Sequence, residues 1–332
     1  MGDFFSDALR QLLEDQCTPQ VVRAVEAGQS AGPLWRHLEE SGFADALVAE
    51  DKGGAGLSLS QVYPILEMCG TYAVPVPLGE TILARGVLAL AGVSRPPGSI
   101  ALSQAFRDGD GCLSCALVPG GQVSDWVLAT QGAQCFLLDV AQGERTPAVF
   151  CLDATLSWPA GVVATSRPVA GPHDVQALQA CVCAAQLAGA LMSVFERTLK
   201  YANVRQQFGR PIGKFQAIQH QLSVISEHAF AARMAAQIGC ISDGIAPQRL
   251  RAAVAKARAS EAALEVAGLA HSIHGAIGFT EEFDLQLFTR RLHLWRQVGG
   301  SESFWHGIVG EELVDRHGGL ALDLLRALTD IH

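Results

Sequence analysis

The chain has no excess of positive charge. Its 24 lysines and arginines stand against 33 aspartates and glutamates, a net −9 at pH 7, which argues against nucleic acid as a partner. No signal-like segment opens it. Its nine cysteines are an odd number scattered without a repeating metal spacing, so a reducing, cytoplasmic setting is expected. Cys112 and Cys115 form a lone CxxC that no second CxxC or histidine pair completes, which leaves zinc or redox chemistry as the lesser reading. His271 and His274 are spaced for one helix face, but they sit in a glycine-rich motif and read as structural, so no metal is expected. No apolar run long enough for a membrane goes uninterrupted: the uncharged stretch between Asp174 and Glu196 carries Gln176, Gln179 and Gln186 and reads as a buried helix. Met1 and Gly2 with Ser6 match a short N-acylation template, with Asp3 an unpromising neighbour, and no membrane partner is expected.

What is present is apolar residue and punctuation. At 332 residues, 49% hydrophobic and 17% charged, the chain can bury large cores in two or three domains. Residues 1–95 hold helical periodicities such as Phe4, Leu9, Leu12, Leu13 and Val62, Ile65, Leu66, Met68, separated by glycine loops. Residues 96–170 break into short segments rich in Val, Leu, Cys and Phe and bounded by Gly, Pro and Asp, the pattern of a small, mostly antiparallel β-domain. Long helical patterns return over 171–332. The expected class is therefore α+β, mainly α.

Two stretches carry chemistry. Tyr201 to Gln219 reads as a helix end, a turn and a new helix, because Gly209, Pro211 and Gly213 break the helical pattern near Arg205. Arg205, Phe208 and Gln216 gather a fixed cation, an aromatic and an amide around that turn. Arginine grips a pyrophosphate in bidentate fashion and helix N-termini favour anions. The plainer alternative is that Arg205 caps the helix and Phe208 is core. His274 to Asp284 adds small residues at Gly275, Ala276 and Gly278, where a ligand or another backbone can approach closely.

Together the two stretches resemble the acyl-CoA dehydrogenase family, whose R-x-x-F-G turn runs on into P-I and F-Q-x-I-Q. Arg205, Phe208, Gly209, Pro211, Ile212, Phe215, Gln216, Ile218 and Gln219 match it, and His274 through Asp284 match a later H-G-G-I-G-F-T element with Ala276 in place of one glycine. Trp35, Gly42, the run Gly53 to Ser58, and Pro75, Pro77, Leu78 and Thr81 resemble the family's N-terminal helical domain. The resemblance implies an N-terminal helical domain, a small middle β-domain and a C-terminal four-helix bundle that forms the oligomer interface. It implies FAD as cofactor and an acyl-CoA as substrate, with Arg205, Phe208, Gln216, Gly275 and Ala276 as cofactor-binding residues.

The resemblance also implies a catalytic glutamate, and this chain fills neither of the family's two places for it. Gly299 occupies the slot after the glycine motif, and Gln179, 26 residues before Arg205, occupies the other. The β-region lacks T-E-P, G-S-D and W-I-T elements, with Ser103, Gln104, Gly121 and Trp126 as distant echoes, and Ser272 replaces a glutamine. No catalytic residue is assigned. In family dimers the arginine, phenylalanine and glutamine of the turn reach a flavin held mainly by the neighbouring subunit. The chain thus resembles the short companion subunits of bacterial α2β2 acyl-CoA dehydrogenases, including those that degrade steroid side chains, and expects a homologous partner carrying the glutamate. Two alternatives stay open: a self-sufficient enzyme with Glu302 as base, and a flavin-free structural homologue.

Overall fold

The computed structural model describes residues 2–171 and 173–329; Met1 of the acylation template lies outside them. The chain divides into two compact units. One comprises Met1–Leu66, Val74–Val182 and Ser242–Ala246, the other Glu67–Ala73, Cys183–Ile241 and Pro247–His332.

The first unit opens with α1 (Gly2–Gln16), α2 (Pro19–Glu26), α3 (Gly32–Glu40), the start of α4 (Leu59–Thr71) and α5 (Leu78–Leu90). Thr18 accepts from Val21 N at 3.4 Å and Pro19 takes the first helical position of α2, where its missing N–H costs nothing. Arg85 on α5 is buried and ties Asp45 Oδ2 at 2.8 Å, Glu39 and the carbonyl of Gly98. Burial pushes the Glu39 carboxyl up, but the bond and charge of Arg85 and the Gly98 amide outweigh it and hold it below its ordinary value.

The β-strands follow: β1 (Ile100–Gln104), β2 (Phe106–Arg107), β3 (Leu113–Val118), β4 (Trp126–Gln131), β5 (Gln134–Asp139), β6 (Glu144–Pro147) and β7 (Ala154–Trp158), then α6 (Ala160–Thr165) and β8 (Arg167–Pro168). They form two four-stranded sheets, ordered β1-β4-β5-β8 and β2-β3-β7-β6. Only β1 and β4 run parallel; every other pairing is antiparallel. Ala101, Val127 and Leu138 from one sheet and Leu113, Leu156 and Trp158 from the other are buried in one shared core. Cys115 lies in that core, where burial pushes its thiol up to about 12, and a thiol so reluctant to ionise makes a poor metal ligand or nucleophile.

Helix α7 (Val175–Val204) begins in the first unit and ends in the second. It is long and apolar enough to cross a membrane, yet 89% of its most apolar stretch is buried in protein, as in a core helix. The second unit continues with β9 (Gln206–Gln207), β10 (Arg210–Pro211), α8 (Gln216–Gly239), α9 (Arg249–His274), α10 (Leu285–Trp295), α11 (Glu302–His317) and α12 (Ala321–Thr329). Phe195 of α7 meets Phe230 of α8 edge to face at 6.1 Å. On α9 the buried face is largely alanine, Ala252 through Ala263, which permits close helix approach.

Candidate functional site

Helix α7 stops at Val204, and the chain then makes a tight β-hairpin rather than a simple turn. Arg210 pairs with Gln207 and Pro211 with Gln206, leaving Phe208 and Gly209 as the two turn residues. Both have positive φ, +51° and +78°. That is the requirement of a primed two-residue turn, which matches the twist of the flanking strands. Glycine meets it freely, but a bulky side chain at φ +51° is an outlier that costs free energy. Phe208 accepts that cost while the residue is 91% exposed. Apart from an edge-to-face approach to Phe215, no ring contact of Phe208 is seen among the described residues, so the conformation presents the ring outward.

The hairpin is pinned on both sides. Ile212 N donates to the Arg205 carbonyl at 2.8 Å, and Gln219 Nε2 to the Gly213 carbonyl at 3.0 Å. The Arg210 guanidinium lies 4.3 Å over the Phe215 ring, which meets Phe208 edge to face at 6.1 Å. Gln216 opens α8 with its side chain exposed, and the exposed Arg205 side chain has no ion-pair or hydrogen-bond partner among the described residues. The core reading of Phe208 is therefore excluded in the isolated chain.

The second motif lies against the same helix end. Helix α9 closes at His274, Gly275 follows at φ +64° and ψ −146°, and a 3-10 turn spans Gly275–Phe279. That backbone region is open to little except glycine. Gly275 and Ala276 are exposed, as is Phe279. Tyr201, one turn before Arg205, stacks on the His274 ring at 4.4 Å and meets Phe283 at 5.8 Å. Arg197 pairs with Asp284 at 3.5 Å. The last two turns of α7 thus join the hairpin to the glycine corner. Tyr201 was not singled out in the sequence, although it begins the motif.

The two histidines of that corner are committed to packing. His274 Nδ1 bonds the Ala270 carbonyl at 2.8 Å, which requires the proton on Nδ1, and His271 Nε2 bonds Thr289 Oγ1 at 2.9 Å. Burial lowers the pKa of both, so both rings are neutral at physiological pH. His271 stacks on Phe279 at 4.2 Å.

Each position discussed for a base has a structural occupation. Gln179 is buried and its Nε2 donates to the Leu102 carbonyl at 2.8 Å, tying α7 to β1. Gly299 and Gly300 both have positive φ, and a Cβ at Gly300 would lie 2.8 Å from Trp305 Nε1. Trp305 Nε1 instead donates to the Gly299 carbonyl at 3.2 Å. Glu302 starts α11 and is paired with Arg296. Burial pushes its carboxyl up, but its own backbone amide, Arg296 and Lys256 outweigh burial and hold it below the ordinary carboxylate value. A base needs a pKa near its working pH and freedom to meet the substrate; Glu302 has neither.

Gln179→Glu tests the first of these occupations. The carboxylate loses the donor to Leu102, sets two oxygens against each other, and is expected to cost about 1–3 kcal/mol. Burial raises its folded pKa above the unfolded value, so the loss grows as pH rises through the folded pKa, because only the protonated acid can donate to Leu102. Urea midpoints at pH 5 and pH 8 read this; an equal loss at both would refute the account.

Comparison with known proteins places this geometry. The acyl-CoA dehydrogenase C-terminal domain model matches residues 177–314, which include the hairpin, the glycine corner and the Gly299 turn. Acyl-CoA dehydrogenase IpdE2 of Mycolicibacterium smegmatis is 32% identical over 302 residues, covering 90% of this chain and 94% of that one. The chain belongs to the acyl-CoA dehydrogenase family. Among solved structures of this fold, a variant of the Tcur3481-Tcur3483 steroid acyl-CoA dehydrogenase superposes with a TM-score of 0.83 at 26% identity, over 96% of this chain and 98% of that one. The ChsE4-ChsE5 complex from Mycobacterium tuberculosis superposes with a TM-score of 0.79 at 22% identity, over 95% and 97%. The second likeness concerns the fold alone.

Proposed function

We propose that this chain is the companion subunit of a heteromeric, flavin-dependent acyl-CoA dehydrogenase acting on a steroid-derived acyl-CoA. In this reading Arg205, Phe208 and Gln216 complete an FAD site whose flavin cradle and catalytic glutamate belong to a homologous subunit. The observation that carries it is Phe208, an aromatic held at φ +51° and 91% exposed beside Arg205, whose side chain has no ion-pair or hydrogen-bond partner among the described residues. Packing does not call for that arrangement; a ligand shared with a second subunit does.

These residues fit part of the cofactor. A guanidinium, an aromatic face and an amide at a helix start suit the pyrophosphate and adenine end. Gly275 and Ala276, exposed at the α9 corner, leave room for close approach. FAD, when bound, supplies the acceptor for the hydride that leaves the acyl β-carbon. With FAD bound, Arg205 would neutralise and orient the phosphates, and Phe208 would cover the adenine. Removal of the α-proton falls to the partner, since the positions described here hold Gln179, Gly299 and an Arg296-bound Glu302. The name of one similar structure, a steroid acyl-CoA dehydrogenase at 26% identity, supports the substrate class.

Purification alone and with the partner subunit tests the proposal. The isolated chain is expected to carry under roughly a tenth of an equivalent of FAD and to show no acyl-CoA oxidation, with both restored in the heteromer. Stoichiometric flavin and turnover from the chain alone would overturn it.

A further inference from the structure

The segment that bears the hairpin is a run of positive charge in an acidic chain. Between Arg197 and Ser226 there are five cations, Arg197, Lys200, Arg205, Arg210 and Lys214, and no aspartate or glutamate. With −9 for the whole chain and +5 for this stretch, the remainder carries −14. Arg197 is engaged with Asp284 and with the Phe288 ring at 4.6 Å. Lys200, Arg205, Arg210 and Lys214 are exposed, and none has an ion-pair partner among the described residues.

A Cβ at Gly213 would lie 3.1 Å from the Ala202 carbonyl and from Asn203 Oδ1, so the turn carrying Lys214 is seated on the last turn of α7 at Asn203, which shares a helix face with Lys200 three residues earlier. The exposed apolar side chains Leu199, Val204 and Phe208 lie among the cations. The proposed flavin site uses Arg205 for bidentate phosphate contact, and the Arg210 guanidinium is taken up over the Phe215 ring, which leaves Lys200 and Lys214 without an assigned role.

We propose that Lys200 and Lys214 are docking residues that steer this face onto an acidic, apolar-centred face of the flavin-carrying subunit. The inference rests on the companion-subunit reading and adds the chemistry of the partner surface. Exposed pairs contribute little affinity each. They act on the encounter, where complementary charge raises association rates by roughly 10–1,000-fold and salt abolishes the gain.

The test uses the heteromer, separated into its subunits and recombined under stopped flow at low and at high ionic strength. K200E/K214E is expected to recombine about tenfold more slowly at low salt and at the wild-type rate at high salt, with unchanged flavin per assembled heteromer. K200Q/K214Q is expected to fall between, and thermal midpoints of both isolated variants should match the wild type, since both side chains are exposed. An unchanged rate in a flavin-loaded heteromer overturns the docking role alone. Flavin lost in proportion to the slower rate also overturns it and makes the lysines cofactor ligands. Altered self-association without altered recombination assigns the face to a second copy of this chain and overturns it too. A chain that recombines with no flavoprotein subunit overturns both this inference and the reading beneath it.

Discussion

Arg205→Ala is expected to lower the flavin affinity of the proposed heteromer by about 10–100-fold, the loss of one charge-assisted hydrogen-bonding group worth roughly 1.5–3 kcal/mol. The isolated chain should barely notice, because an exposed side chain without a partner contributes within about 0.5 kcal/mol to folding. Equilibrium dialysis of FAD and a denaturation curve on the same preparations separate the two effects. Phe208→Gly is the companion experiment, and its sign is the informative part. Glycine adopts φ +51° without strain, so the isolated chain is expected to gain about 1 kcal/mol. The heteromer is expected to lose flavin. A destabilised Phe208→Gly chain with full flavin content would return Phe208 to the core and remove the ground for a shared site.

The opposite directions expected for stability and cofactor binding explain why the hairpin was hard to read in the sequence. Two-residue strands, Gln206–Gln207 and Arg210–Pro211, are too short for any alternation to register. Hairpin signals favour Asn or Gly before the second turn glycine, and phenylalanine there points away from a primed turn. Local preference and structure disagree at the proposed site, as is usual where a function is served. Elsewhere the pattern was sufficient. The short apolar segments of 96–170 are strands because their alternate residues, Leu113, Cys115 and then Leu156 and Trp158, enter one core. Arg205 was legible as a helix end from Gly209 and Pro211. Gln179 and Gly299 showed in the sequence only that no carboxylate was present. The hydrogen bond to Leu102 and the positive φ, which explain what those residues do instead, are properties of the folded chain.

Lys256 was not legible at all, and it carries the second large expected effect. In sequence it is one cation on an alanine-rich helix, where the ordinary expectation is a solvated face. In the fold it is fully buried, and its Nζ donates to Ser260 Oγ at 3.0 Å and to the carbonyls of Arg296 at 2.8 Å and Gly300 at 3.0 Å. It therefore holds the turn between α10 and α11 from below, while Trp305 holds the Gly299 carbonyl. Lys256→Ala orphans two carbonyls and leaves a cavity, a loss of about 3–5 kcal/mol. At about 2–4 °C per kcal/mol for units of this size, the melting midpoint should fall by roughly 6–20 °C. Lys256→Met keeps the volume and removes the charge, so its loss should be smaller. The pH dependence distinguishes a buried ammonium from simple packing. Burial, opposed in part by Cys183 and Glu302, pulls the folded Lys256 pKa from 10.5 down to about 8. Between these values the unfolded chain binds more protons than the folded one, so wild-type stability should gain from Lys256 as pH rises from about 8 toward 10.5. The gain is of order 3 kcal/mol. Lys256→Met should lack it, so the gap between wild type and variant should widen over that window in guanidinium titrations. A constant gap would mean that the lysine is not buried as a titrating charge, and the turn would then owe its position to Trp305 and the Arg296–Glu302 pair alone.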